Sequence, residues 1–530
     1  MIARADAKER TMHRPRIAAV VALAAMLAAC PSTESRRVTL TVASVGDPLS
    51  LDPAAASDSE SMQVLMQIFE QLVRYKQGST QVEPALATRW NVSGDGKVWT
   101  FHLRRGVRFH DGTPMDADAV VFSLERQRDR KHPFHIPGAF TYWESTFRQV
   151  RQVAKVDRHT VRIRLDRPFS PFLANLAMFP ASIVSPTAMR RLGRRFASRP
   201  VGTGPYRFVH WTKGRRVTLA GNPSYWDGGP QVGRLVYEVI PEAERRLVSL
   251  QSGTVDVVDS LAPSDRQIVS LHPSLRLFRV RGNNVAYLAM NTQRPPFDNV
   301  MVRRAVNHAV DRRAIVKLAY QGLAVEAIGP IPPAMWSHER RIQTYPYNPT
   351  EARKLLEQGG YDFSRRVSFF VMSTPRIYLP SPMLVARMIV RDLTMVGIKV
   401  DLVVRPFPEH QRATQTGQHD LCLGGWFGDN GDPDNFLYVL LDQDNARHGA
   451  ARNLAMFESD ELHGLLLRAQ QVMDRELRER DYRRAQRIVA REAPWVPLAH
   501  TDVVVAARRA VRNLQVQPTT AIYFRKVVKQ

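Results

Sequence analysis

Apolar and polar positions alternate along some stretches of the chain and recur every three to four residues along others, and the two periods interleave from end to end. Val38 to Val45 alternates and predicts a strand, after which Ser59 to Val73 carries an amphipathic helical stripe. Val98 to Leu103 and the segment around Val107 to His110 read as paired strands, and Asp116 can cap a helix that turns Val120, Val121 and Leu124 to one side. Val161 to Leu165 alternates again, followed by shorter strands at Tyr206 to Trp211, Arg216 to Ala220 and Leu235 to Ile240. From Asn299, the positions Val302, Ala305, Val306, Ala309 and Val310 have helical spacing; Asp311 can cap a second helix with Ala314, Ile315, Leu318 and Ala319 inward and Gly322 as its stop. Val385, Met388 and Ile389 mark a helix closed by Gly397, and Ile398 to Val404 a strand. Two last helices carry Leu462, Leu465, Leu466 and Ala469, then Tyr482, Ala485, Ile488 and Val489, before Pro494 ends the pattern. No internal repeat is present, and the class predicted is α/β with mixed sheets.

With 530 residues, 44% of them hydrophobic, the chain is too long for one core and predicts two or three domains. It carries 75 Lys plus Arg against 50 Asp plus Glu, a net charge of +25, but the basic residues are 64 Arg and 11 Lys dispersed from end to end. Such scatter, without interleaved aromatics or a reading helix, argues for a solvated basic exterior and against a nucleic-acid partner. The two cysteines, Cys30 and Cys422, cannot build a disulfide framework or a four-cysteine zinc site.

The first 29 residues predict export. Arg4, Lys8, Arg10, Arg14 and Arg16 precede an uncharged apolar run from Ile17 to Ala29, too short for a membrane span of about 20 residues. It ends Leu27-Ala28-Ala29-Cys30, small residues before a cysteine, as a lipoprotein signal requires; cleavage there leaves Cys30 for lipid attachment and the body tethered to a membrane.

Catalytic patterns fail in turn. No HExxH places two imidazoles on one helix face, and no GxSxG elbow exposes a serine. His132 and His135 sit in a Pro-flanked loop and read as surface histidines, Gly202-Thr203-Gly204-Pro205 as a turn, and Cys422 as an inert core thiol. The most informative stretch runs from Gly424 to Phe436, where a short apolar strand, Asp420 to Gly425, enters a loop with Trp426 three positions before Asp429. Its spacing fails that of a calcium loop. On residues alone, Asp429 and Asp432 either cap turns or serve a ligand.

Longer motifs then carry a resemblance: Trp90-Asn91-Val92-Ser93-Gly94-Asp95-Gly96, Phe109-His110-Asp111-Gly112-Thr113-Pro114, Gly202-Thr203-Gly204-Pro205-Tyr206, Arg303-Arg304-Ala305-Val306-Asn307-His308-Ala309-Val310-Asp311 and Tyr347-Asn348-Pro349. Over almost all of the chain after the signal, the sequence resembles the peptide-binding family, family 5, of extracytoplasmic solute-binding proteins serving ABC importers, and most of all its dipeptide-binding branch. The resemblance implies a two-lobed, hinged α/β fold with an insert domain. It places lobe 1 at residues 30–57, 188–280 and 496–530, the insert at 58–187 and lobe 2 at 281–495. It also implies that Asp429 pairs with a peptide α-ammonium and that Arg376, 53 residues earlier, clamps the α-carboxylate. Tyr378 lies in the Arg376 loop, where Ile377 and Leu379 replace the family's Pro and Asn; Gly425, Trp426 and Phe427 offer backbone to the ligand as an added strand. The expected protein is a monomeric periplasmic or cell-surface lipoprotein, not an enzyme, without metal or cofactor. It would pass short peptides, most simply dipeptides, to an ABC importer permease. An antimicrobial peptide, glutathione, haem or a longer oligopeptide is the alternative cargo.

Overall fold

The computed structural model describes residues 38–530. The predicted signal segment and Cys30 lie outside the described residues. The chain forms two lobes joined through one long mixed sheet. In the first, Thr39–Ser44 runs parallel to Arg234–Val239 on one side and to Val257–Val258 on the other. Arg216–Gly221 and Tyr206–Thr212 extend the sheet antiparallel. Successive residues point to opposite faces: Leu40 and Val42 enter a core under the helix Ser59–Ile68, and Ala43 enters a second core with Leu247 and Leu250 of the helix Ala243–Ser252.

The second lobe repeats that logic. Asn284–Met290, Leu421–Phe427, Arg366–Met372 and Lys399–Arg405 lie side by side, the last two pairs parallel. Leu421, Leu423, Phe369 and Val371 face the helices Val300–Ala309, Arg312–Ala319 and Pro382–Met395. Cys422 and Phe370 face the opposite core, built with Asp434–Leu441, Asp460–Gln471 and Arg475–Glu492. The strand Trp495–Arg508 serves both lobes. Its first half pairs with Asn284–Met290 and Ala324–Glu326, its second with Leu275–Arg281 and Val257–Val258. The chain therefore crosses between lobes at residues 281–284 and again within this strand. A separate sheet, Ala87–Val92, Val98–Leu103, Thr160–Leu165 and Val150–Asp157, packs its apolar face against the helix Ala117–Arg128.

Most predicted helices form where local caps specify them. Asp58 accepts from the Ser61 N–H, Asp116 from Asp118, Asn299 from Met301 and Asp311 from Ala314. Three expectations change. The helix from Ser59 stops at Ile68, not Val73, because the Ile68 carbonyl accepts from the Gly204 N–H (2.8 Å) and Phe69 turns to extended backbone. Val107 to His110 is not a strand: the turn at Gly112 closes it on itself, and Val98–Leu103 pairs instead with Ala87–Val92 and Thr160–Leu165. Leu318 is 52% exposed, its place on the buried stripe taken by Arg312, whose guanidinium hydrogen-bonds the Tyr345 carbonyl. Among the described residues no helix is long and apolar enough to cross a membrane.

Candidate ligand-binding site

The strand Leu421–Phe427 is buried through Gly424 and half-buried from Gly425 to Phe427, so it leaves the core of the second lobe toward the first. Its continuation is pinned where the chain crosses between lobes. Gly428 donates to the Asn283 carbonyl (2.7 Å), and the Asn283 side-chain amide donates to the carbonyls of Gly428 (3.2 Å) and Asn430 (2.6 Å). Asp432 then acts as a turn cap, accepting from the Asp434 N–H (3.1 Å), and both its oxygens accept from Arg478 Nη2 at 2.8 Å. Of the two carboxylates left open by the sequence, Asp432 is thus held by its own fold.

Asp429 is not. Its N–H donates to Asn435 Oδ1 (3.0 Å), which also accepts from Trp426 Nε1 (2.9 Å), so the indole and the Asp429 backbone share one anchor. The Asp429 carboxylate points away from this turn to the Tyr142 hydroxyl, which donates to it (3.1 Å) across 287 residues of sequence from the helix Thr141–Thr146. Among the described residues no cationic side chain comes within 4.0 Å of that carboxylate. Desolvation pushes it up to about 6, against the pull of the Tyr142 hydrogen bond and the more distant Arg452 charge; burial and Asp429 together push the Tyr142 hydroxyl well above its ordinary range.

Tyr378 is 7% exposed, and its ring packs against the strand at Gly425. A Cβ on Gly425 would stand 2.1 Å from its Cδ2, so only glycine permits this approach. The Arg376–Leu379 turn closes through mutual backbone hydrogen bonds of 3.0 and 2.9 Å, and Leu379, where the family has Asn, is fully buried. Arg376 is exposed and rests its guanidinium 4.1 Å from the Phe407 ring centroid. Gly425 and Tyr378 are therefore in contact, Trp426 and Asp429 form one hydrogen-bonded unit, Arg376 stands beside Tyr378, and Phe427 packs on the core. Gly425→Ala is expected to cost about 1 to 3 kcal/mol in chemical denaturation, as overpacking does. Adding Tyr378→Ala should leave the pair less destabilised than the sum of the single changes.

Tyr142, Asn435 and Arg452 carry no functional signal in the sequence read alone. Asn435 lies inside the Gly424 to Phe436 stretch, six residues after Asp429, whereas Tyr142 and Arg452 carry no spacing signal because tertiary contacts alone bring them here. The lobes also meet where Asn430 Nδ2 donates to Asn175 Oδ1 (2.6 Å) and where the Ser170 N–H donates to the Gln470 carbonyl (2.7 Å). Gly431 abuts Thr80 so closely that a Cβ would lie 2.5 Å from its carbonyl oxygen. His132 and His135 hydrogen-bond nearby backbone, and Cys422 is fully buried with its thiol pushed up by desolvation. One grouping with metal-ligand types, Asp442, Asp444 and His463, is satisfied internally: His463 meets Asp442 at 3.0 Å, and Tyr438 donates to Asp444 at 2.9 Å.

Residues 81–448 match the family model described as bacterial extracellular solute-binding proteins, family 5 Middle. The chain is similar to Heme-binding protein A of Haemophilus influenzae, with 38% identity over 86% of this chain and 85% of that one. It is 34% identical to the Dipeptide-binding protein of Escherichia coli over 92% and 94% of the two chains. Among solved structures it is similar to an ABC transporter-associated periplasmic binding protein from Helicobacter pylori in complex with the peptide STSA. That likeness has a TM-score of 0.80 and 33% identity, and covers 93% of this chain and 98% of the other.

Proposed function

The chain belongs to the family 5 bacterial extracellular solute-binding proteins, and from that premise we propose that it captures short peptides, dipeptides most simply, between its two lobes for an ABC importer. The observation that carries this reading is Asp429. A desolvated carboxylate without a cationic partner is costly, and a ligand ammonium supplies that partner by charge-assisted hydrogen bonds. The strand edge from Gly425 to Phe427 offers backbone to an extended peptide, and Arg376 offers a planar fork for its carboxylate. Clamping the constant ends of a peptide leaves its side chains free to vary. Closure turns on the two crossings at residues 281–284 and 495–508, with the insert residues Tyr142 and Asn175 meeting the loop from Asp429 to Asn430. Residues 1–29 serve in this proposal as a lipoprotein signal and Cys30 as the membrane anchor, which sets a monomeric protein beside its permease.

The test is calorimetric titration of ligand-stripped protein with a free dipeptide, its N-acetylated form and its C-terminal amide. The free dipeptide should bind, the N-acetylated form at least about thirtyfold more weakly, the loss expected when a buried hydrogen-bonded charge pair forfeits a partner, and the C-terminal amide more weakly by a smaller factor because Arg376 is exposed. Equal binding of free and blocked forms, or none by any, would overturn the reading. The similarity to a haem-binding relative supports a second cargo, haem, which the same protein tests by the presence or absence of a shifted Soret band on addition of haemin.

A further inference from the structure

Arg452 is the one feature of the site that a generalist clamp does not require. Its backbone is fixed: the N–H groups of Arg452 and Asn453 both donate to the Asn445 carbonyl at 3.0 Å, and Ala451 and Asn453 on either side are buried. From this rigid base an exposed side chain brings its guanidinium 6.0 Å from the Trp426 ring centroid. Trp426 is tied through Asn435 to Asp429, and Asp429 to Tyr142, so Arg452, Trp426, Asp429 and Tyr142 form one connected corner where the loop after Phe427 meets the helix Thr141–Thr146. The Arg452 charge reaches both Asp429 and Tyr142, yet among the described residues no carboxylate lies within 4.0 Å of it. A free anion and a free cation thus stand near one another without pairing.

We propose that an α-ammonium seated on Asp429 turns the first residue's side chain toward this corner. A carboxylate at the end of that side chain would meet Arg452, and an ammonium there would meet repulsion. Arg452 then makes this site select peptides whose first residue is acidic, so that Asp429 and Arg452 together recognise an ammonium and a carboxylate carried on the same residue. The inference rests on the peptide reading above and narrows its substrate class.

The experiment is titration of Glu-Ala, Gln-Ala and Lys-Ala into the wild type, Arg452→Gln and Arg452→Glu. In the wild type, Glu-Ala should bind about tenfold more tightly than its neutral isostere Gln-Ala, the worth of one hydrogen bond between charged groups, and Lys-Ala more weakly than either. Arg452→Gln should bring Glu-Ala and Gln-Ala within about twofold of one another, with an unchanged far-UV circular dichroism spectrum and melting temperature reporting an intact fold. Arg452→Glu should reverse the order and favour Lys-Ala. Equal binding of Glu-Ala and Gln-Ala by the wild type, or a preference that survives Arg452→Gln, would overturn the selectivity and leave the peptide reading standing. Failure of all three peptides to bind would overturn both.

Discussion

Arg478→Ala is expected to destabilise the protein by about 3 to 5 kcal/mol, because it strips the partner from a buried charge and leaves that charge in place. Arg478 is 6% exposed and Asp432 is 4% exposed. The guanidinium does more than pair: its Nε donates to the Ala469 carbonyl (2.9 Å), Nη2 meets the Tyr482 hydroxyl (3.1 Å), and the group lies 5.2 Å from the Trp336 ring centroid. Behind Asp432 sits a second buried carboxyl, Asp434, pushed up to about 7 by burial and by Asp432 itself, with Gln470 donating to it at 2.9 Å. Two neighbouring acids are tolerated there because one cation serves both. Urea denaturation of the single variant should show the full loss, and Asp432→Asn in the same chain should recover part of it by removing the orphaned charge. The loss should be greater at pH 8 than at pH 5, where Asp434, pushed up to about 7, is protonated and no longer repels Asp432. A variant as stable as the wild type would mean that water reaches Asp432 and that the loop is not held by this pair.

The parts of the fold legible in the sequence are those specified locally. Asn299 and Asp311 cap helices that begin where the periodicity begins, and Leu462 and Tyr482 mark helices whose stripes are buried as read. What was not legible depends on partners distant in sequence. The strand Trp495–Arg508 is buried along nearly its whole length because both faces are covered, so it shows no alternation to read. Val107 to His110 has strand-like residues, but the turn at Gly112 bridges Arg108 to Pro114 and closes the segment on itself. The site divides in the same way. Gly425, Trp426, Asp429 and Arg376 are marked by the family motifs, whereas residue chemistry alone leaves Asp429 and Asp432 equivalent. The structure separates them, giving Asp432 a turn and an arginine and Asp429 a tyrosine hydroxyl from the helix Thr141–Thr146. Tyr142, Asn435 and Arg452 complete the site from three separate elements.

Asp429→Asn is expected to abolish high-affinity peptide binding and, at the same time, to make the unliganded protein more stable at neutral pH. The two effects have one cause. In the unfolded chain this carboxyl has the ordinary value of 3.8, and in the fold desolvation pushes it up to about 6. Between those values the folded state holds more protons than the unfolded state, so the group's contribution to stability declines as pH rises from about 4 and reaches its full cost above about 6. Asparagine carries no charge to desolvate and can still accept from Tyr142. The gain should be of order 1 to 2 kcal/mol at pH 7.5, once screening of a half-buried group is allowed for, and should vanish near pH 4. Binding moves the other way, because an ammonium needs the ionised carboxylate. Affinity for a free dipeptide should fall by at least about hundredfold in the variant, equivalent to roughly 2.7 kcal/mol. In the wild type it should decline as pH drops below about 6, a dependence the variant lacks. Melting curves at pH 4, 6 and 7.5, set beside titrations at pH 5 and 7.5, check both. A stabilised variant that still binds would move the ammonium site elsewhere, and a destabilised one would make Asp429 a structural residue of the closed lobes.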